Sequence, residues 1–464
     1  MIMRGSRIVM AAASLAILAG CGAVVGGRDA FGAGLERETM RPLPDLAPTI
    51  SGPLTLEQCI EIALERSPRI GQYHWRAEGA AAQCEVVAAA RWPSVDFAAS
   101  YHHHVDDQRL IPATEPGGVG VWSSDILAAD LVISMPIYTG GRIVNEMRAS
   151  ELLRLAAAKR LARARGEVVF NVSSAFYSIQ GQRRVIASLE FSRTTLEEHR
   201  KRVGELMAAQ KATRVDLLRT EVRLADIDQR LLGARNSLAI QRQVLSTLMG
   251  LSSDSPVDVS GDLALDPFEP EEMPVERALA RRDDYLAARA EVEAQRKRVA
   301  VEAARRLPTL SLVGSYGGRW AVGDVTEQTG ASASEDIGSL GLSFSVPIAD
   351  GGRARATLRR EQADLRVAEE RLRELELRIR LEVQTAVLNL ASSLKRVRAT
   401  EKSIEQARES LRIEREKYEL GKGSITDVLD AQGALLEAET SNVQAIVEHN
   451  TAVEQYRLAV GEGR

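Results

Sequence analysis

Apolar side chains return every seventh position along residues 353–419. Leu358, Leu365, Leu372, Ile379 and Ala386 form one series, and Val383, Leu390, Val397, Ile404, Leu411 and Tyr418 form a second. Two apolar positions per heptad are the seam of a coiled coil. Leu377, Leu381 and Leu388 widen that surface, which calls for neighbours on two sides. Val172, Ile179 and Ile186 repeat the second series 211 residues earlier and place a matching helix from Arg142 to about Met207. Each helix, about 66 residues long, spans roughly 100 Å, which fits a coiled coil or a barrel wall rather than a globular core.

A period of two precedes each long helix. Leu340-Gly341-Leu342-Ser343-Phe344-Ser345-Val346 alternates apolar with small or polar, and Leu127, Ala129, Leu131, Ile133 and Met135 share one face opposite Asp130 and Ser134. Both read as half-buried strands. They end in "MPIYTGGR" (135–142) and "VPIADGGR" (346–353). Pro136 and Pro347 should end the strand hydrogen bonding, and the pairs Gly140-Gly141 and Gly351-Gly352 should turn the backbone into the helix. Upstream, "RWPSVDFAASY" (91–101) matches "RLPTLSLVGSY" (306–316), giving a second strand per copy, with polar loops at 102–125 and 317–338.

The chain is thus one unit written twice: helix, strand, strand, long helix, helix. The copies cover 54–250 and 274–464, joined by an irregular Pro- and Asp-rich linker at 251–273. The opening helices are expected at 54–90, begun by Pro53 and Thr55, and at 274–305. Return helices of about 38 residues start near 213 and 424. Two short helices end to end match one long one, as a wall of uniform height requires.

The charge balance, 60 basic against 64 acidic residues, offers no global field to nucleic acid. With 45% hydrophobic, 27% charged and only 4% aromatic residues, the composition favours long helices. At the N-terminus, Arg4 and Arg7 precede a short apolar stretch from Ile8 to Gly20 and then Cys21. This reads as a secretory signal over 1–20. Leu18-Ala19-Gly20-Cys21 resembles a bacterial lipobox, which makes Cys21 the lipidated first residue of a linker running to 53. Gly22, not Asp, follows, which implies sorting to the outer membrane. Cys59 and Cys84 lie too far apart along one helix to pair and read as small apolar residues.

Four amphipathic strands cannot close a membrane barrel, because closed barrels have at least eight and open edges are not tolerated in lipid. Two copies would give eight strands and three would give twelve. The strand, Pro-Ile-x-x-Gly-Gly-Arg, long helix and "GKGSITDVLDAQ" (421–432) turn together resemble outer-membrane efflux proteins of the TolC/OprM type, in their lipidated branch. The resemblance covers nearly the whole mature chain. It implies a mixed, mainly α fold: a homotrimer with a 12-stranded outer-membrane β-barrel continued by a 12-helix periplasmic α-barrel. It implies a passive duct, without catalysis or cofactor, that docks on a periplasmic adaptor and an inner-membrane transporter while seated in outer-membrane lipid.

The turns between long and return helices would form the periplasmic mouth. Thr213-x-x-Asp216 and Ser424-x-x-Asp427 are capping boxes in Asp form. By resemblance, Asp427 and Asp430 match aspartate rings that close such mouths, and Tyr418 matches a latch. TolC-type relatives carry an Arg where this chain has Gly423, and Arg214 or Arg219 of the first turn are candidates to supply the missing charge.

Other motifs carry less. His102-His103-His104 lacks further ligands at metal-binding spacing, and "GKGS" lacks the upstream glycine of a phosphate loop. No catalytic constellation stands out. Two alternatives share these features in part: the exit channel of a type I protein-secretion system, and a structural periplasmic coiled-coil lipoprotein.

Overall fold

The computed structural model describes residues 52–112, 120–210, 212–252, 257–270, 273–322, 325–327 and 334–462. The signal segment, Cys21 and the linker up to residue 51 lie outside the described residues. The described elements are, in order, α1 (Leu56–Arg66), α2 (Pro68–Ala89), β1 (Ser94–Arg109), β2 (Val121–Tyr138), α3 (Arg142–Ala208) and α4 (Arg214–Leu248). The second copy follows as α5 (Pro274–Arg281), α6 (Asp283–Ala304), β3 (Thr309–Ala321), β4 (Val325–Glu327), β5 (Ser334–Ser345), α7 (Arg353–Glu419) and α8 (Ile425–Val460).

Both long helices run 67 residues, as the heptads require. Both heptad series face inward: Ile379 and Ala386 of the first and Val383, Leu390, Val397 and Leu411 of the second are each under 8% exposed. α3 packs against α1, α2 and α4 of its own repeat and against α6 and α8 of the other, whereas α7 packs mainly against α5, α6 and α8 of its own repeat and meets α3 only near its C-terminal end, at Tyr418. The outer flank of α7 is therefore open, and Leu377, Leu381 and Leu388 stand there 62–70% exposed.

The opening helix of each repeat is two helices, not the single one expected at 54–90 and 274–305. The chain breaks at Ser67 (φ −59°, ψ 121°) and at Arg282 (φ −62°, ψ 121°). Pro68 explains the first break, since it lacks an N–H and pushes its predecessor out of the helical region. The second break has no proline. The Arg282 side chain, 1% exposed, holds it by donating to Asp284 at 2.7 and 3.0 Å, to Glu382 at 2.6 Å and to the Ala459 carbonyl at 3.3 Å. The first helix does open at Thr55, which forms a capping box with Gln58.

The strands are longer than expected and the loops shorter. β1 runs through His102–His104 to Arg109, and β2 begins at Val121, so much of 102–125 is strand. In the second copy β3 reaches Ala321, a short β4 pairs with β2, and β5 starts at Ser334. Polar alternation masks a strand as readily as apolar alternation reveals one. The sheet order is β1-β2-β3-β5, antiparallel throughout, and among the described residues β1 and β5 have no partner on their outer sides. Pro136 does not end its strand: it pairs with Ser311, and β2 continues past a register shift to Tyr138. β1 begins at Ser94 opposite Ser134, so Pro136 sits on a local edge where its missing N–H costs nothing. Pro347 lies beyond the end of β5, as expected.

The linker is pinned to the middle of the helices. Leu54 bridges Val259. Gln180 donates to the Ser260 carbonyl at 3.1 Å, Arg184 to that of Leu263 at 3.2 Å and Asn450 to that of Ala264 at 2.8 Å. The buried His449 joins Ser393, 3.0 Å from its Nδ1, to the Asp266 carbonyl at 3.1 Å, to which its Nε2–H donates. Cys59 lies in the core, and burial pushes its thiol up to about 11, which keeps it inert. Among the described residues, no helix is long and apolar enough to cross a membrane.

Candidate functional site

The registers sort the sheet into two faces. One carries Val95, Phe97 and Tyr101 of β1, Leu127, Leu131 and Ile133 of β2, Leu312, Tyr316 and Trp320 of β3, and Leu340, Leu342 and Phe344 of β5. This face is open: Leu340 is 77% exposed, Phe344 69% and Phe97 59%. An apolar, solvent-facing sheet surface of that extent is anomalous in water and ordinary against lipid. Tyr101, Leu127 and Trp320 share one row at the end remote from the helices, while Trp92 and Tyr138 lie at the near end. That is the placement of interfacial aromatic girdles. β1 and β2, at 16 and 18 residues, exceed the roughly 9–11 residues that a tilted strand needs to cross a bilayer.

The opposite face is polar. It bears Asp96, Ser100 and His102 on β1, Asp130 and Ser134 on β2, Ser315 and Arg319 on β3, and Ser339 and Ser343 on β5. Arg319 bonds Asp130 at 2.8 Å across strands, and Ser315 meets Ser339 at 2.9 Å. His103 alone of the histidine run turns to the apolar face, where it and Tyr101 bond Asp125 at 2.7 and 2.5 Å. Among the described residues, no group of three or more His, Cys, Asp or Glu is arranged to hold a metal ion.

The strand-to-helix turns behave as their sequence demands. Gly140, Gly141, Gly351 and Gly352 all have positive φ, between 62° and 88°, a region costing other residues roughly 1–2 kcal/mol. Gly141 and Gly352 are the N-caps of α3 and α7 and offer no side chain to the helix. The residue ahead of each glycine pair supplies one instead. Asp350 accepts from the N–H of Ala354 at 2.7 Å and of Gly352 at 3.0 Å, which holds its carboxyl below the usual range, and Thr139 accepts from Ile143 at 3.4 Å.

At the far end of the helices both capping boxes form. The Asp216 carboxylate accepts from the Thr213 N–H at 2.8 Å and its hydroxyl at 2.7 Å, and Asp427 accepts from the Ser424 N–H at 3.2 Å. Asp430 is free of cap duty. Its side chain is 72% exposed and lies 3.8 Å from Arg223 of α4. Arg219 donates to Thr426 at 2.5 Å, so it does tie the two turns together, while Arg214 has no described tie across them. Space at Gly423 is tight: a Cβ there would lie 3.0 Å from Lys417 Cβ and 3.2 Å from the Tyr418 nitrogen, so a larger residue needs a small shift of the turn.

Tyr418 is partly buried against the aliphatic cluster that holds Leu196 and Val203, and its ring sits 5.7 Å from that of His199. Burial first, and then the Asp216 carboxylate, push its hydroxyl pKa up. Burial, and then Arg415 and Arg202, hold the His199 imidazole below its usual range, and its Nε2 has no partner. Sequence reasoning missed Arg223 and His199. Arg223 carries a signal in hindsight, lying one helical turn past Arg219 on the same face.

A sheet with one lipid-type face and two open edges, feeding a wall of 67-residue helices, invites comparison with known proteins. The family model for outer membrane efflux proteins matches residues 59–251 and 275–462. This chain belongs to that family. The two matched blocks are the two repeats. Outer membrane protein TolC of Vibrio cholerae serotype O1 is 23% identical over 425 residues, covering 89% of this chain and 92% of the relative. The cobalt-zinc-cadmium resistance protein CzcC of Cupriavidus metallidurans is 25% identical over 311 residues, covering 66% and 70%. Among solved structures, the outer membrane protein VceC from Vibrio cholerae superposes with a TM-score of 0.75 at 21% identity, covering 88% of this chain and 96% of that one. The shared architecture is therefore that of a mainly helical outer-membrane efflux channel.

Proposed function

We propose that this efflux-family chain is the outer-membrane exit duct of a tripartite pump. It would act as a homotrimer that conducts small molecules passively from a periplasmic adaptor and an inner-membrane transporter to the exterior. The observation that carries this reading is the sheet whose four long strands are apolar on one face and polar on the other, with neither β1 nor β5 paired on its outer side among the described residues. Open edges have no place in lipid, so copies must join, and three copies give twelve strands. The helices then continue the pore through the periplasm, with residues 251–273 as an equatorial belt and Cys21, lipidated, as an anchor that adds acyl burial to barrel insertion.

At the mouth, Asp427 and Asp430 from three chains would bring six carboxylates towards the axis, where they favour cations over anions. The capping role of Asp427 is compatible with this, since the bond from the Ser424 N–H engages only one of its two carboxylate oxygens. Tyr418, with Asp216, closes the intrachain side of the mouth. Selectivity of the purified protein in planar bilayers tests the ring. Asp427→Ala/Asp430→Ala should widen the conductance and lose cation preference; unaltered selectivity would reduce both aspartates to helix caps.

A further inference from the structure

The three consecutive histidines of β1 do not share one face. Successive side chains of a strand point to opposite sides, and His103 turns to the apolar face, where Asp125 meets its Nδ1 at 2.7 Å. His102 and His104 turn to the polar face. Their rings lie alongside each other, with centroids 6.0 Å apart and planes 20° from parallel. Among the described residues neither ring makes a hydrogen bond or an ion pair, and His102 is exposed while His104 is half-buried. A polar pore face needs no such pair, since the serines of the neighbouring strands serve it as well.

Two imidazoles at positions i and i+2 of a strand can close on one cation. A nitrogen–metal bond of about 2.0–2.1 Å asks the two donor nitrogens to come within about 4 Å of each other. Rings stacked at 6.0 Å reach that by turning about their own side-chain bonds. The backbone beneath them is fixed, because His102 pairs with Ile126 and His103 with Asp125 on β2. Beyond His103 the ladder skips to Gln108, which leaves His104 room to adjust.

The donor set selects the cation. Mg²⁺ and Ca²⁺ take oxygen ligands, and a structural Zn²⁺ site takes four protein ligands, whereas among the described residues no third His, Cys, Asp or Glu completes a group with this pair. Two imidazole nitrogens, with water filling a tetragonal shell, suit Cu²⁺ and then Ni²⁺. Three copies would carry three such pairs. Twelve strands about 4.8 Å apart and tilted by about 40° close on a radius of roughly 12 Å, which holds equivalent backbones about 20 Å apart. Each pair therefore takes its own ion. Tyr101, next to the pair, belongs to the aromatic row remote from the helices, which sets the pair at the outer end of the barrel.

We infer that His102 and His104 form a binding site for one borderline divalent cation per chain, Cu²⁺ foremost, on the polar face of the sheet at its outer end. Its placement inside a pore rests on the duct reading above, whereas the site itself needs only the strand. Each bound ion adds two positive charges at the opening and opposes the passage of cations.

Copper titrated into the purified, full-length oligomer in detergent, followed by electron paramagnetic resonance, reads the site directly. The expected spectrum is tetragonal, couples to two nitrogens and saturates at one ion per chain. Losing a partner outside the ligand set already costs a metal site about ten- to a hundredfold in affinity, so His102→Asn and His104→Asn should each weaken binding at least tenfold. His103→Asn should leave the affinity unchanged, because that ring faces the other side of the sheet. All three side chains are exposed or half-buried, so the variants disturb no core. Equal losses from the three variants would show a histidine-rich segment chelating without strand order, and no loss from His102→Asn or His104→Asn would put the copper elsewhere; either result overturns the inference.

Planar bilayers separate the site from the duct. Cu²⁺ added on the side that the outer end of the barrel faces should reduce the single-channel current of wild type and leave that of His102→Asn/His104→Asn unaltered. Copper bound with no effect on the wild-type current would overturn the placement of the pair in the pore. Absence of channels from a wild-type oligomer that still binds copper would defeat the duct reading and leave the site standing.

Discussion

Arg282→Met removes the one guanidinium that breaks the α5–α6 segment and leaves Asp284 and Glu382 without their shared cation. The arginine is 1% exposed, and its partners' side chains are 24% and 41% exposed. Removing one member of a fully buried pair costs about 3–5 kcal/mol. Solvent reaches both carboxylates here, Glu382 more than Asp284, so the cost falls to about 2–3 kcal/mol. Arg282→Lys keeps the charge but loses the two-pronged grip on Asp284, at about 1–2 kcal/mol. Guanidinium unfolding of the detergent-solubilised protein, followed by helical circular dichroism, measures both. Acid supplies an internal check. Burial raises the Asp284 pKa, but hydrogen bonding and charge from Arg282 outweigh it and hold the group below its ordinary value. The folded state thus binds fewer protons than the unfolded one, and this stability is present above the ordinary carboxylate range and lost as pH falls through the depressed pKa. The gap between wild type and Arg282→Met should therefore narrow below about pH 4. A cost under about 0.5 kcal/mol, or a gap indifferent to acid, would refute this account of the break.

Other substitutions probe the duplicated turns. Gln210, at φ 59°, occupies the left-handed position that Gly421 fills in the second copy, so Gln210→Gly should stabilise by about 1 kcal/mol and Gly421→Ala should destabilise by a similar amount in the same unfolding assay. Gly140→Ala should be worse tolerated than Gly351→Ala: both strain φ, but only the Cβ at 140 meets Leu307, at 2.7 Å, and the yield of folded oligomer reads the difference. His199, with its pKa depressed, is neutral when folded and binds fewer protons than when unfolded. Stability should be full above its ordinary value of about 6.5 and decline as pH falls below it. The thermal midpoint of wild type should drop between pH 7 and 5 more than that of His199→Gln.

How much of this was legible in the sequence depended on whether a single residue or a period carried the signal. Heptads placed both long helices to within about two residues, because 67-residue helices repeat their evidence many times. The strand faces were legible for the same reason. Strand ends were not, because His102 to Gln108 is polar apart from an exposed Val105 and its ladder skips from His103 to Gln108, so no alternation of side chains marks it as strand. The break at Ser67 was announced by Pro68, whereas the equivalent break at Arg282 depends on carboxylates as distant as Glu382 and has no local signature. Pro136 showed that a proline marks a missing hydrogen bond rather than a strand end. At the mouth the caps were written locally, but the Arg223–Asp430 pair joins residues 207 apart and needed the fold.

The central claim, that copies of this chain close into a duct across a membrane, is tested most directly by recording single channels from the purified, full-length oligomer in planar bilayers. The account predicts small, cation-selective steps, a mostly closed mouth on a continuous pore. A well-folded oligomer that inserts and conducts nothing under any voltage would contradict it.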